Sequence, residues 1–396
     1  MKTLRQSPLD PAFVQNPYAT YARVLAEDPV QFWDDYGMMA VFDATTVQAL
    51  LRDRRLGRAV PEDHRSKAPD HLAHFDAVER VSMLDLEPPH HTRLRGLVLR
   101  AFTSRRIKAL EPDIHAICDD LLARLPDGPF DLIPAFCTAL PVRVIARLLG
   151  VPEEMSDQLL RWSNAMVAMY QAGRTHETEL AADAAAAAFT AFLTGYVEER
   201  RHQPRDDLIT HLIAAEEHGE KLSHAELIGT CILLLNAGHE ATVHTLGNAV
   251  KALLEHETPA AALASSAIAA TVEEVLRFDP PLHMFTRYAY EDIDVGGRRL
   301  AKGQQVALIL GAAGRDPARF DTPDRFDPTR PPAPHAAFGG GLHFCVGAPL
   351  ARLELQIGLQ RLFQHAPGLT LTDRPRYADS YHFHGLTHLS VTRGAL

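Results

Sequence analysis

At 396 residues, 46% of them apolar, the chain has core enough to enclose a large ligand, and length alone allows two or three domains. Forty Lys and Arg stand against fifty Asp and Glu, a formal charge of −10 at pH 7, and the cations are scattered, which speaks against a general nucleic-acid binder. The four cysteines, Cys118, Cys137, Cys231 and Cys345, lie far apart with no CxxC pair, which fits a reducing compartment better than a disulfide framework.

The first residues carry neither the apolar core of a signal peptide nor a run of about 20 apolar residues able to span a bilayer, so a soluble, cytoplasmic chain without membrane contact is expected. Short strands are predicted at 38–42, 292–295, 305–310 and 386–391, each bounded by turn-forming Gly or Pro. Next, within the segment 87–95, His91 and Arg95 stand four apart, which puts them on one helical face suited to gripping a carboxylate. Helical periodicity dominates 104–256 and returns at 260–277, and the alanine tract 181–188 sits inside it as helix. Residues 311–337, rich in proline and without a period, read as a long irregular segment. Cys118, Cys137 and Cys231 read as packing residues.

The longest predicted helix opens on a capping box, Ser223 with Glu226, and nothing breaks it before about His256, a run of roughly 50 Å at 1.5 Å per residue. Its middle is apolar all round from Cys231 and then turns abruptly polar at Asn236-Ala237-Gly238-His239-Glu240-Ala241-Thr242. A glycine inside a helix costs about 1 kcal/mol relative to alanine, so at Gly238 either something packs on the backbone or the hydrogen-bond ladder opens. His239 and His244 are five apart, about 140° around the helix, and so do not form the zinc pattern, which needs a spacing of four.

Residues 338–354 form a glycine-dense loop that delivers Cys345 to the start of an amphipathic helix with Leu350, Leu353 and Ile357 on one face. The helix places unpaired amides and a positive dipole end beside the sulfur, which favours a thiolate. Gly339, Gly340, Gly341 and Gly347 remove bulk on both sides of it, as if a large flat object lay close to the backbone.

The spacing Phe338-Gly339-x-Gly341-x-His343-x-Cys345-x-Gly347 resembles the haem-binding loop of the cytochrome P-450 family. That resemblance, which runs from Asp10 to the C-terminus, implies a mainly α fold with small β-sheets. It further implies a single large domain over residues 1–396 with haem between the long central helix and the cysteine loop. It implies haem b (iron protoporphyrin IX) with Cys345 as the iron ligand and His91, Arg95, Arg287 and His343 around the propionates. Phe338, Gly339 and Gly347 would then lie against the cofactor on one side, and Ala237 and Gly238 on the other.

By the same resemblance Glu240 is the acid of the proton-delivery pair. Ala241 stands where the family carries threonine, and Thr242, one residue and about 100° further on, is the remaining candidate for the alcohol. Glu274, Arg277 and Arg325 match a buried structural network. Segments 70–84, 166–173, 233–237, 282–285 and 381–383 would line the substrate pocket, a mixture that suits an apolar ligand with one or two polar groups.

The expected activity is insertion of one oxygen atom from dioxygen into a small apolar organic molecule, with electrons from a separate ferredoxin and ferredoxin reductase. Arg93, Arg100 and Arg352 are the candidate docking cations. A peroxide-driven or non-hydroxylating enzyme is the alternative that Ala241 raises, and a non-catalytic haem-dependent ligand-binding protein is the alternative from another class.

Overall fold

The computed structural model describes residues 1–65, 67–171, 174–217 and 220–394. It resolves into two compact units, one made of Met1–His64, Cys118–Thr138 and Ala241–Leu396, the other of Arg65–Ile117 and Ala139–Glu240.

The first unit holds a six-stranded sheet in the order Thr3–Leu4, Val30–Trp33, Met38–Val41, Gln305–Ile309, Met284–Ala289, Leu56–Gly57. Val306 pairs with Met39 in parallel and with Arg287 in antiparallel register, which fixes Arg287 on a central strand. One core of the unit joins Val41, Val47, Val306 and Leu308, and a second, aromatic one joins Phe13, Tyr21, Trp33 and Tyr381. Three of the expected strands appear within a residue or two of their predicted bounds. The expected strand 386–391 is two, Leu386–His388 paired with Arg376–Tyr377 and Ser390–Thr392 paired with Thr370–Leu371 and Phe130–Asp131; Leu389 between them donates its backbone N–H to Asp131 Oδ1 and accepts from Leu132 N–H. Val30–Trp33 and Met284–Ala289 were not expected. A period of two over four to six residues is too short to separate from loop, and partners distant in sequence supply their pairing.

The helical stretch 104–256 is likewise interrupted. The strand Phe130–Asp131 and a π-helical turn, Ile133–Thr138, follow the helix Glu111–Ala123. In the second unit the 27-residue helix His176–His202 packs against Ser156–Val167 and Ala73–Glu79. By length and composition it could cross a membrane, and 33% of its apolar window is buried in the protein. Its apolarity is mostly alanine, and near its end the wholly buried Arg200 donates from Nε to Asp207 at 2.6 Å and from Nη2 to the Gly150 carbonyl at 2.9 Å. A charge held in that way belongs to a packed protein interior.

The long helix runs His224–Glu255, 32 residues, with the predicted cap in place: Ser223 N–H donates to Glu226 Oε2 at 2.8 Å and Glu226 N–H to Ser223 Oγ at 3.3 Å. The helix is continuous through Gly238, so the ladder does not open there. Ile145 packs on the backbone instead, and a Cβ at Gly238 would stand 3.0 Å from its side chain.

Helix Ala348–His365 buries Glu354, 1% exposed, with neither carboxyl oxygen bonded among the described residues. Burial pushes its pKa well above the ordinary value of a glutamate carboxyl. The native protein therefore keeps a proton that the unfolded chain releases above about pH 4.5, and stability falls as pH rises from there. Glu354→Gln is expected to flatten that dependence and to raise stability at about pH 8 by about 1–3 kcal/mol. Denaturant midpoints of variant and parent at about pH 5 and about pH 8 check it; an equal difference at both would refute the titration argument.

Candidate functional site

The cysteine loop is built by backbone bonds that need no side chain. Cys345 N–H donates to the Phe338 carbonyl at 3.0 Å, Gly339 N–H to Ala336 at 2.8 Å, and the helix proper begins at Ala348 with Pro349 in its first turn. Gly339 and Gly341 take φ +70° and +65°. A Cβ on Gly341 would fall 2.5 Å from the Leu51 carbonyl, and one on Gly340 3.2 Å from the Leu51 side chain. Gly340 and Gly341 are thus required by close packing on residues 51 and 52, and Gly339 and Gly341 by their own turn. Gly347 is the exception, for its missing Cβ would lie 3.8 Å from Cys345 Sγ and cover it.

Arg352, one turn into the helix, braces the loop. It donates from Nε and Nη2 to Glu273 at 2.5 and 2.9 Å and lies 4.6 Å over the Phe338 ring, while His335 Nε2 lies 3.1 Å from the same carboxylate. Burial pushes Glu273 up, but its bonds and charge contacts with Arg352 and His335 outweigh that and hold it at about 2. The brace is therefore ionic above about pH 4.5 and is lost only as pH falls toward 2.

Cys345 is exposed, whereas Cys118, Cys137 and Cys231 are buried. Burial pushes the thiols of Cys118 and Cys231 up to about 12 and that of Cys137 further. Those three are packing residues; Cys345 is the sulfur placed to bind or react.

On the long helix, Leu233, Asn236, Ala237, Glu240, Ala241 and His244 keep some exposure and recur at the three–four spacing of one face. Thr242 is off that face and 5% exposed. It does not join Glu240 as the expected alcohol, because the 100° step turns it into the core. One turn along, the Thr245 hydroxyl donates to Ala241 O at 2.6 Å. Glu240 lies 3.5 Å from His239 Nε2, and His239 donates from Nδ1 to the Leu235 carbonyl at 2.7 Å.

The other predicted residues divide between the units. His91, buried, and Arg95, half-buried, share a face of the helix His90–Ala101 in the second unit, which also holds Ala237, Gly238 and Glu240. Arg287, 2% exposed, lies on its central strand in the first, together with the half-buried His343 of the turn Gly341–His343, Phe338, Gly339, Gly347, Cys345 and Thr242.

Three further expectations need revision. Arg325 is not in the buried network: its side chain is 66% exposed on Asp327, and only its carbonyl is used, by Arg277 and Arg330. The second arginine is Arg330, with Nε 3.3 Å from Glu274 Oε2. Tyr381 and His283 belong to the aromatic core, each bonded to Tyr21 OH, at 2.7 and 2.9 Å. Arg93 and Arg352 are held by the chain's own acids, Arg93 by Glu226 and Glu220 and Arg352 by Glu273. Of the pocket segment 166–173, residues Ala172 and Gly173 lie outside the described residues, while Met166 meets Asn236, whose Nδ2 is 3.8 Å from Met166 Sδ.

The sequence model of the cytochrome P-450 family matches residues 153–264 and 267–366, more than half of the chain and including the Cys345 loop. This chain belongs to the cytochrome P-450 family. Vitamin D(3) 25-hydroxylase of Pseudonocardia autotrophica is 40% identical over 396 residues, covering 96% of this chain and 95% of that protein. Cytochrome P-450 107B1 of Saccharopolyspora erythraea is 39% identical over 401 residues, covering 98% and 97%. The solved P-450 BioI, in complex with hexadec-9Z-enoic acid ligated acyl carrier protein, superposes with a TM-score of 0.91 at 35% identity over 97% of this chain and 99% of that one. This P-450 is a monooxygenase, an oxidoreductase whose cofactor is haem b. The residues present fit that group: an exposed sulfur beside a glycine that leaves it uncovered, at the head of an 18-residue helix.

Proposed function

We propose that residues 1–396 work as one haem-thiolate monooxygenase domain that oxidises an elongated, mainly apolar molecule carrying one or two polar groups. The exposed Cys345 on its braced loop is the observation that carries this reading. Haem b, when bound, supplies the redox-active iron that activates dioxygen. Cys345 would ligate that iron, and His91, Arg95, Arg287 and His343 would hold the propionates. The exposed stripe of the long helix, with Leu233, Ala237 and Ala241, offers substrate an apolar wall, and Asn236, whose Oδ1 has no bond among the described residues, offers one polar anchor. The relatives' names support the class, since vitamin D(3) and a hexadecenoyl chain are both long and apolar.

Electrons would come from a ferredoxin and its reductase in the cytoplasm. A groove of about 610 Å³ at the cysteine loop, lined by Arg52, Phe344 and Arg352, supports docking there, with the exposed Arg52 as the cation that replaces Arg93 and Arg352 in that role.

With Ala241 on the exposed stripe and Thr242 in the core, no alcohol of the motif stands beside Glu240. Glu240 would hold a proton at its carboxylate and pass it through an ordered water or a hydroxyl of the substrate itself. On that account Ala241→Thr leaves the fraction of reductant consumed that appears as product nearly unchanged with the native substrate. A rise of about tenfold, within the reach of a restored general acid, would refute substrate assistance. The same burial of Thr242 favours a second reading, a peroxide-driven enzyme. Turnover with ferredoxin, reductase and NADPH exceeding that with peroxide alone decides for the monooxygenase, and the reverse order for the peroxide enzyme.

A further inference from the structure

The second unit carries a cluster that the chemistry above does not use. Thr175 and Thr178 close a capping box that starts the helix His176–His202, so that His176 and Glu179, three apart, share its first turn and point the same way. The short turn Asp70–Leu72, more than 100 residues earlier, brings His71 against them. His71 Nε2 lies 2.8 Å and His176 Nδ1 3.7 Å from one oxygen, Glu179 Oε2, and the two imidazoles meet edge to face at 4.6 Å. All three ligand atoms fall within 4.8 Å of one another. Arg174 takes the other carboxylate oxygen, Nε to Oε1 at 3.3 Å, and so turns Oε2 toward the two rings.

We propose that His71, His176 and Glu179 form a binding site for zinc or a similar borderline divalent cation, which clamps the segment 70–79 onto the start of helix His176–His202. Two imidazole nitrogens and one carboxylate oxygen are a zinc donor set, and bonds of about 2.0–2.2 Å in a tetrahedron require donor atoms about 3.4 Å apart. The 2.8 and 3.7 Å separations bracket that value, so modest shifts of the side chains complete the site, with water in the fourth position. Arg174 supplies the outer contact that such a carboxylate needs to keep its orientation.

The joint is already built to be tightened. One turn along, Asp183 accepts from the backbone N–H groups of His74 and Phe75 at 2.7 and 3.0 Å and lies 2.9 Å from His74 Nδ1, so the helix Ala73–Glu79 is seated on the same face. Neither the donor set nor the clamp depends on the haem assignment.

Equilibrium dialysis of the untagged holoprotein against zinc, with metal counted per chain separately from iron, tests the site. One zinc per chain is expected, with affinity at least about tenfold lower in each of His71→Ala, His176→Ala and Glu179→Gln and unchanged in His202→Ala at the far end of the same helix. Hydrogen exchange provides the second readout: zinc should protect backbone amides at 70–79 and 176–183 in the parent and not in Glu179→Gln. No uptake, or uptake that survives all three substitutions, overturns the site; uptake without protection overturns the clamp.

Discussion

Cys345→Ser is expected to abolish substrate oxidation and to remove the strongly red-shifted absorption of the reduced, carbon monoxide-treated holoprotein. Sulfur and oxygen differ little in size, and the loop hydrogen bond from Cys345 to Phe338 is made by the backbone, so the fold around position 345 has no reason to change. What changes is the donor. A thiol ionises within reach of neutral pH beside a helix start, and a serine hydroxyl does not, so the substitution replaces a soft anion by a neutral oxygen. Loss of activity should exceed the 10–100-fold, roughly, that changes outside the ligand shell produce. The brace of Arg352, Glu273 and Phe338 should persist, with a denaturation midpoint close to that of the parent. A serine variant that kept the red-shifted band would mean that another group ligates the iron, and would withdraw the role given to Cys345.

The second large effect is on stability. Removing Glu274 should cost about 3–5 kcal/mol, because Arg277, 3% exposed, would keep its charge in the interior without a partner. The pair is bidentate, Nε to Oε2 and Nη2 to Oε1, both at 2.7 Å. It also anchors the irregular segment that leads to the cysteine loop. Arg277 donates to the carbonyls of Gly314 and Pro323 at 2.7 and 2.9 Å, and Asp327 N–H donates to Glu274 Oε1 at 2.8 Å. A double apolar replacement should therefore not restore stability, since those backbone groups would be left buried without partners. Arg330→Ala should cost about 1–3 kcal/mol, for it bonds Glu274 and the carbonyls of Asp321, Thr322 and Arg325. Arg325→Ala should cost less than about 1 kcal/mol, the worth of an exposed ion pair. Denaturant midpoints of the four variants check the order, and equal losses at positions 325 and 330 would refute the assignment of Arg330 to the network.

The sequence by itself determined what depends on neighbours along the chain. The Cys345 loop, the Ser223–Glu226 cap, the continuous helix to Glu255 and the shared face of His91 and Arg95 all follow from spacings of a few residues, at which helical periodicity and turn chemistry act. The family followed from the same local spacing, and so did the departure at Ala241.

Tertiary structure decided whatever required knowing which distant residue comes near. Gly238 needed Ile145, the glycines at 340 and 341 needed Leu51, and the strand Met284–Ala289 needed Gln305–Ile309 beside it. Arg330 in place of Arg325 and Tyr381 in the core were decided in the same way, by packing that short-range propensity does not encode. His71, His176 and Glu179 were silent in the sequence for that reason. A site whose donors lie more than 100 residues apart has no local pattern, and only the seating of the 70–79 segment on one helix brings them to a common point.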